Sequence, residues 1–227
     1  MSFDPSHFFG LMPNVTWADV QSNTLATLYM TLVSVAAAGV FGLALGVFLF
    51  LTSPKQMLST PWLYYPLVTV VNIVRAIPFI ILIVNLLEYS KPLLGTTMGP
   101  TAMLPSLIVG ATPFYARLAQ MAFKEIDHGV LEAANAMGCN LRHIIFKVLI
   151  PEASPALASA MTITTITMIG YTAMAGFTGG GGLGAVAYEG YQRTARDMKL
   201  YTTVILVVLV QIVQFIGDAI TRRLDKR

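Results

Sequence analysis

Residues 24–51 read TLATLYMTLVSVAAAGVFGLALGVFLFL, and no Asp, Glu, Lys, Arg or His interrupts them. A helix needs about 20 mostly apolar residues to cross the ~30 Å hydrocarbon core of a bilayer, and this run exceeds that. In lipid the backbone N–H and C=O groups must be satisfied within the segment, so such a run is helical. It stops at Thr52-Ser53-Pro54-Lys55, a short polar turn containing a proline.

Four further apolar blocks follow. They cover 61–87, with Pro66, Pro78 and Arg75; 102–123, with Pro105 and Pro113; 153–177; and 200–220. The expected fold is therefore all-α, a membrane protein of five transmembrane helices. Composition agrees: 56% of the 227 residues are hydrophobic, 11% are charged and the mean hydropathy is +0.70. Soluble domains carry about 25% charged residues, so this chain could not cover its own surface in water. Its net charge of +3 belongs to loops and a basic tail, and does not imply nucleic acid.

Five spans place the termini on opposite sides. The first twenty residues hold no Lys or Arg, whereas the tail holds Arg222, Arg223, Lys226 and Arg227. Basic loops stay on the cytoplasmic side, so the tail is expected inside with Lys55, Arg117, Lys124, Arg142 and Lys147. That makes nine basic residues inside against four outside, Lys91, Arg193, Arg196 and Lys199. The outer Arg193–Lys199 group fits the rule poorly. The expected organisation is an extracytoplasmic segment 1–23, a five-span domain 24–221 and a cytoplasmic tail 222–227. The acidic N-terminus lacks the basic region of a signal peptide.

Segment 124–152 is the longest polar stretch. Val130, Ala133, Ala134 and Met137 recur at i, i+3, i+4 and i+7, one face of a short helix. Gly138 stands where a C′ glycine ends a helix, and Asn140 where an N-cap begins the next. Leu141, Ile144, Ile145, Val148 and Leu149 mark the apolar face of that second helix, which Pro151 is expected to end. By periodicity alone the segment could also lie at the bilayer surface as an interfacial helix.

On the fourth block, steps of about 100° gather Met161, Thr164, Thr165, Thr167, Met168, Tyr171, Thr172 and Met174 on one half of the helix. Ile163, Ile166, Ile169, Gly170, Ala173 and Phe177 take most of the other; Thr162 is the exception. Hydroxyls and flexible thioethers suit a path for an amino acid with a polarisable side chain. Thr and small residues also hold membrane helices together, so packing and pathway both remain open. Arg75 inside a block costs about 3 kcal/mol or more on insertion scales, and is read as a structural intramembrane charge.

Other signals exclude function classes. Gly179–Gly184 formally contains GxGxxG, but it follows a membrane helix and no βαβ unit surrounds it; an outer loop that moves during gating is the expectation. No GxxxxGK[ST] occurs, so the chain holds no P-loop. His7, His128 and His143 lack metal-ligand spacing, and Cys139 is the single cysteine, so no metal site is expected. Asp218 and Arg222 stand at i, i+4 and are expected to pair. Ion-coupled carriers place acids within the membrane, whereas Glu88 and Asp218 lie near span ends. An intramembrane enzyme would need a nucleophile–base pair or a metal motif, and neither is present.

The run Glu132-Ala133-Ala134-Asn135-Ala136-Met137-Gly138, with Leu141 to Pro151 after it, resembles the EAA loop of ABC importer permeases. Asn72 to Leu82, Pro113 to Arg117, Gly170 to Gly176, Gly181 to Gly184 and Gly190 to Arg193 are similar to the methionine importers of that family. The likeness covers about residues 24–221. It implies the type I importer permease fold and a permease subunit in the bacterial inner membrane that passes methionine, L and D. The EAA segment would be a coupling helix engaging a separate ATPase through Glu132, Ala133, Ala134, Met137, Gly138, Leu141, Arg142 and Ile145. Met161, Thr164, Thr165, Met168, Tyr171 and Thr172 would line the path or its gate. It further implies a non-catalytic chain without cofactor, ATP and Mg being held by the partner. Since five spans enclose little, the assembly would be a homodimer with two ATP-binding subunits and an extracytoplasmic methionine-binding protein. Another amino-acid importer of the same class is the alternative.

Overall fold

The structure is a computed structural model that describes residues 16–54 and 56–225. Lys55, His7, most of the 1–23 segment, Lys226 and Arg227 lie outside the described residues. Every regular element among the described residues is helical: α1 (Trp17–Thr52), α2 (Pro61–Ala76), α3 (Phe79–Leu94), α4 (Pro100–Lys124), α5 (His128–Ala136) and α6 (Leu141–His143). A π-helical stretch Ile144–Leu149 leads into α7 (Ile150–Glu152), followed by α8 (Ser154–Ala175), a π-helical turn Gly176–Gly180, α9 (Gly182–Gln192) and α10 (Arg196–Leu224).

Three helices, α1, α8 with its π-helical turn, and α10, are long and apolar enough to cross a membrane, or four if α2 and α3 form one broken span. The expected count of five adds α4. Its 25 residues are long enough, but Pro, Ser, Thr and Arg117 dilute its apolar character. Ala102, Met103, Leu107, Ala111, Ala116, Ala119 and Phe123 are all fully enclosed. A helix surrounded by protein needs no continuous lipid-compatible surface. In contrast, only 6% of the apolar window of α10 is buried.

The expected single span 61–87 is two helices, bent by 101° at the break. Ile77 is extended, with φ −69° and ψ 124°, as the residue before a proline prefers. Pro78 then serves as the N-cap of α3, its carbonyl accepting from the Ile81 and Leu82 N–H groups at 2.9 and 3.1 Å. Helix α1 begins seven residues earlier than the apolar run, at Trp17. Its 36 residues span about 54 Å at 1.5 Å per residue, well beyond the hydrocarbon core. Pro151 does not end its helix: it falls in α7, and the Ala153 N–H continues the ladder to the Leu149 carbonyl at 3.1 Å.

The chain divides into two compact units. One comprises residues up to 34 with 78–108 and 165–213; the other comprises 35–77, 109–164 and 214 onward. In the first, the glycine-rich segment expected as an outer loop forms the π-helical turn and the start of α9, closely packed at several of its glycines. A Cβ on Gly184 would lie 2.0 Å from the Ala173 carbonyl oxygen, and one on Gly176 2.3 Å from the Ala185 nitrogen. The Leu183 N–H, an unsatisfied donor of the first turn of α9, is met by Thr27 Oγ1 at 2.9 Å. In the second unit, α1 and α4 cross at Gly42 and Gly46, where a Cβ would come within 2.9 Å of the Thr112 carbonyl and 2.8 Å of Ala119 Cβ. Small residues four apart let membrane helices approach this closely.

Candidate functional site: the α5–α6 segment and the exposed face of α8

Helix α5 starts at Asp127, whose carboxylate accepts from the Gly129 N–H at 2.7 Å. It ends as the spacing predicts: Gly138 takes φ +77°, and the Cys139 N–H reaches back to the Ala134 carbonyl at 3.2 Å. Asn140 caps the next helix, its side-chain oxygen accepting from the His143 N–H at 2.8 Å. Both turns of the segment are thus fixed by backbone and cap chemistry.

The expected apolar face of α5 is divided. Leu131 and Ala134 point inward, 6% and 3% exposed, and join a core of Phe50, Phe123, Ile126, Ile144, Leu149 and Leu157. Val130 and Ala133 lie outward together with Met137, which is 76% exposed. Glu132 and Gly138 are exposed beside them. One helix therefore has an anchoring face and, on its other side, an apolar stripe that none of the described residues covers. The Phe50 and Phe123 rings, 5.7 Å apart, brace the core beneath. Of the remaining candidates, Leu141 and Ile145 are half-buried against that core, while Arg142 is exposed.

The π-helical register explains the second apolar face. Its hydrogen bonds skip five residues, as from the Ile150 N–H to the Ile145 carbonyl. Ile144 and Leu149, five apart, are accordingly the two residues of this stretch buried to 1% and 0%.

On α8 the candidate pathway residues separate into two groups. Thr164, Met168 and Thr172 are 0%, 0% and 1% exposed within the single chain. The Thr164 and Thr172 hydroxyls donate to the Ala160 and Ile169 carbonyls of their own helix, each at 2.8 Å. Met161, Thr165 and Tyr171 are half-buried. The outward line instead carries Ile163, Gly170, Met174 and Phe177, a set the sequence pattern assigned mainly to the opposite face.

Arg75 lies in the last turn of α2, at the break and not mid-span, with its guanidinium 5.8 Å from the Phe114 ring centre. A cation at a helix C-terminus is favoured by the helix dipole, and the ring adds a cation–π contact. Asp218 accepts from the Gln214 amide at 2.8 Å instead of pairing with Arg222. Arg193, in the poorly fitting outer group, pairs with Glu189 at 2.7 Å.

Sequence reasoning missed Gln120. It is wholly enclosed, its amide donating to the Leu49 carbonyl at 3.3 Å and toward the Tyr64 hydroxyl at 3.4 Å, while its oxygen accepts from Arg117. A lone glutamine in an apolar block carries no signal until its neighbours are known.

Several comparisons bear on this arrangement. Residues 40–227 match the family described as binding-protein-dependent transport system inner membrane component. The methionine import system permease protein MetP of Bacillus subtilis is 50% identical over 160 residues, 70% of this chain and 72% of that one. The D-methionine transport system permease protein MetI of Escherichia coli K12 is 45% identical over 146 residues, 64% of this chain and 67% of that one. A chain from inward-facing conformations of the MetNI methionine ABC transporter superposes with a TM-score of 0.89 at 40% identity, covering 100% of both chains. A chain of an amino-acid ABC transporter has a TM-score of 0.75 at 18% identity over 98% of this chain, a likeness of fold alone. The chain thus has the type I importer permease fold and belongs to the binding-protein-dependent transport inner-membrane component family, as a multi-pass ABC importer permease that stands with the methionine permeases.

Proposed function

We propose that this chain forms the translocation pathway for methionine in an ATP-driven importer and is coupled to ATP hydrolysis by a separate subunit. The observation that carries the reading is the divided helix α5: an uncovered apolar stripe, Val130, Ala133 and Met137, mounted on a core that holds its other face. A rigidly mounted apolar ridge is suited to a groove on a partner, and transmits force because Leu131 and Ala134 tie it to the membrane helices. ATP and Mg belong to that partner. Two copies of this chain enclose the path about a two-fold axis, two ATP-binding subunits engage the two α5 ridges, and an extracytoplasmic binding protein delivers methionine. The N-terminus lies outside and the C-terminus in the cytoplasm, an orientation that the distribution of Lys and Arg supports.

In this mechanism closure of the ATPase pair draws the α5 ridges together and opens the permease outward; release after hydrolysis reverses it. Met161, Thr165 and Tyr171, half-exposed on α8, contribute to the path with the outward Ile163, Gly170, Met174 and Phe177. Thr164, Met168 and Thr172 support that surface from behind.

The test is uptake of labelled methionine into proteoliposomes containing this chain, its ATPase and its binding protein, with and without trapped ATP. The expected result is ATP-dependent uptake that Met137→Glu abolishes while the membrane helices stay folded. Uptake of a different amino acid would keep the class and remove methionine; uptake driven by an ion gradient without ATP would end the reading.

A further inference from the structure

Arg75, in the last turn of α2, is exposed, and its guanidinium rests 5.8 Å from the centre of the Phe114 ring. Phe114 lies well inside α4, about 21 Å from Pro100 and about 15 Å from Lys124 at 1.5 Å per residue. A cation at such depth pairs with an acid or with backbone carbonyls, or faces a water-filled path. Residues 24–87, 100–124 and 153–177 contain no Asp or Glu, and in α10 Asp197 and Asp218 lie toward the two ends. No acid of the chain therefore stands at the depth of Arg75, and a second copy would bring none either. Among the described residues Arg75 makes no hydrogen bond or ion pair.

Two further groups stand open beside it. Asn72, three residues earlier and so on the same face of α2, is exposed, and its amide makes no hydrogen bond among the described residues. The helix ends at Ala76, the Ile77 N–H turns to the Val74 carbonyl, and Pro78 has no N–H to give. The Arg75 and Ala76 carbonyls consequently accept no hydrogen bond among the described residues. The end of α2 thus sets a fork of N–H donors beside bare carbonyls at the negative pole of a helix. We infer that it holds the charged backbone of the amino acid in transit: Arg75, with Asn72, binds the carboxylate, and the open carbonyls bind the ammonium. A guanidinium matches a carboxylate through two parallel hydrogen bonds. Every amino acid carries these two groups, so the site reads the class of cargo and leaves the side chain to other surfaces. The inference rests on the importer reading above and adds the point at which the path holds its cargo.

The experiment uses the permease assembled with its ATPase in proteoliposomes. Cys139 is the single cysteine, so Cys139→Ser gives a thiol-free chain, and Ala76→Cys places a reporter beside Arg75 on the exposed end of α2. A membrane-impermeant maleimide is expected to modify the reporter, and methionine is expected to slow that modification. Methioninol, which lacks the carboxylate, and N-acetylmethionine, which lacks the ammonium, are each expected to need about tenfold higher concentration for the same protection. Arg75→Gln is expected to raise the methionine concentration for half-protection about tenfold or more, with Arg75→Lys between it and the parent. The two analogues need no change at Arg75, so the test stands even where Arg75→Gln does not fold. A reporter that the maleimide never reaches, protection undiminished in Arg75→Gln, or methioninol protecting as well as methionine would each overturn the carboxylate site. Equal protection by N-acetylmethionine would overturn the ammonium contact. Uptake of labelled methionine by vesicles of the parent chain, with the binding protein added, separates the two levels. ATP-dependent uptake without reporter protection sinks this site alone, whereas no ATP-dependent uptake removes the importer reading beneath it.

Discussion

The ring of Phe79 lies flat against that of Tyr171, with centroids 4.0 Å apart and planes within 5° of parallel. Phe79 is the first residue of α3, directly after the Pro78 break, and is 7% exposed. Tyr171 is half-buried on α8, among the proposed pathway residues. The stack fixes the Tyr171 ring by contact with the start of a different helix, and such a pair contributes about 0.5–1.5 kcal/mol beyond area burial. Phe79→Ala is expected to lower thermal stability and also to change the KM for methionine uptake, whereas Phe79→Tyr retains both. Uptake kinetics beside a melting curve check this; a KM unmoved in Phe79→Ala would confine the stack to packing.

Leu131 and Met137 belong to the same segment and differ in what their loss should do. Truncating the buried Leu131 to Ala leaves a cavity in the core around Phe50 and Ile144, a change that costs about 2–5 kcal/mol. Met137→Ala removes an exposed side chain and should leave the unfolding midpoint within error, while weakening co-purification of the ATPase. Equal destabilisation by the two would contradict the inward and outward faces.

The glycines of the first and fourth helices set a steric limit. Gly46→Val would press methyl groups against Ala119 and the Ala116 carbonyl, already 2.8 and 2.9 Å from a Cβ position. Overpacking of this kind costs typically about 1–3 kcal/mol. Gly170→Ala, with open space around it, should fold as well as the parent. Detergent-solubilised melting of the two variants gives the comparison.

Gln120→Leu removes one partner from an enclosed network and leaves the Tyr64 hydroxyl and Arg117 without it. An abandoned buried polar group costs about 1–3 kcal/mol. The variant should therefore melt earlier than Thr164→Val, which loses only a hydroxyl bonded to its own helix and should keep uptake unchanged. A Thr164→Val variant that folds but no longer transports would return that residue to the path.

How much of this was legible in the chain depends on whether the cause is local. Gly138 and Asn140 were readable because a left-handed turn and an N-cap depend on one or two residues. The break at Pro78 was half-readable: the proline was evident, but whether neighbours would straighten the helix or let it bend was not. The close packing of the Gly179–Gly184 turn was not readable for a related reason. Glycines signal permissive backbone equally whether a loop is open or a neighbour is pressed against it, and only the Ala173 carbonyl and Thr27 hydroxyl decide between the two.

By itself the sequence determined the solvent and the class. Charge-free runs such as residues 24–51 can be satisfied only as helices in lipid, and the segment around Glu132 to Gly138 carries its own start, stop and repeat. The tertiary structure decided direction. A face on a helical wheel names residues that share a side without saying what stands opposite, so Thr164, Met168 and Thr172 turned inward, Ile163, Gly170 and Met174 outward, and the single stripe of α5 divided into an anchor and a ridge. Which way a side faces is set by the helices packed against it, and those contacts join residues far apart in the chain.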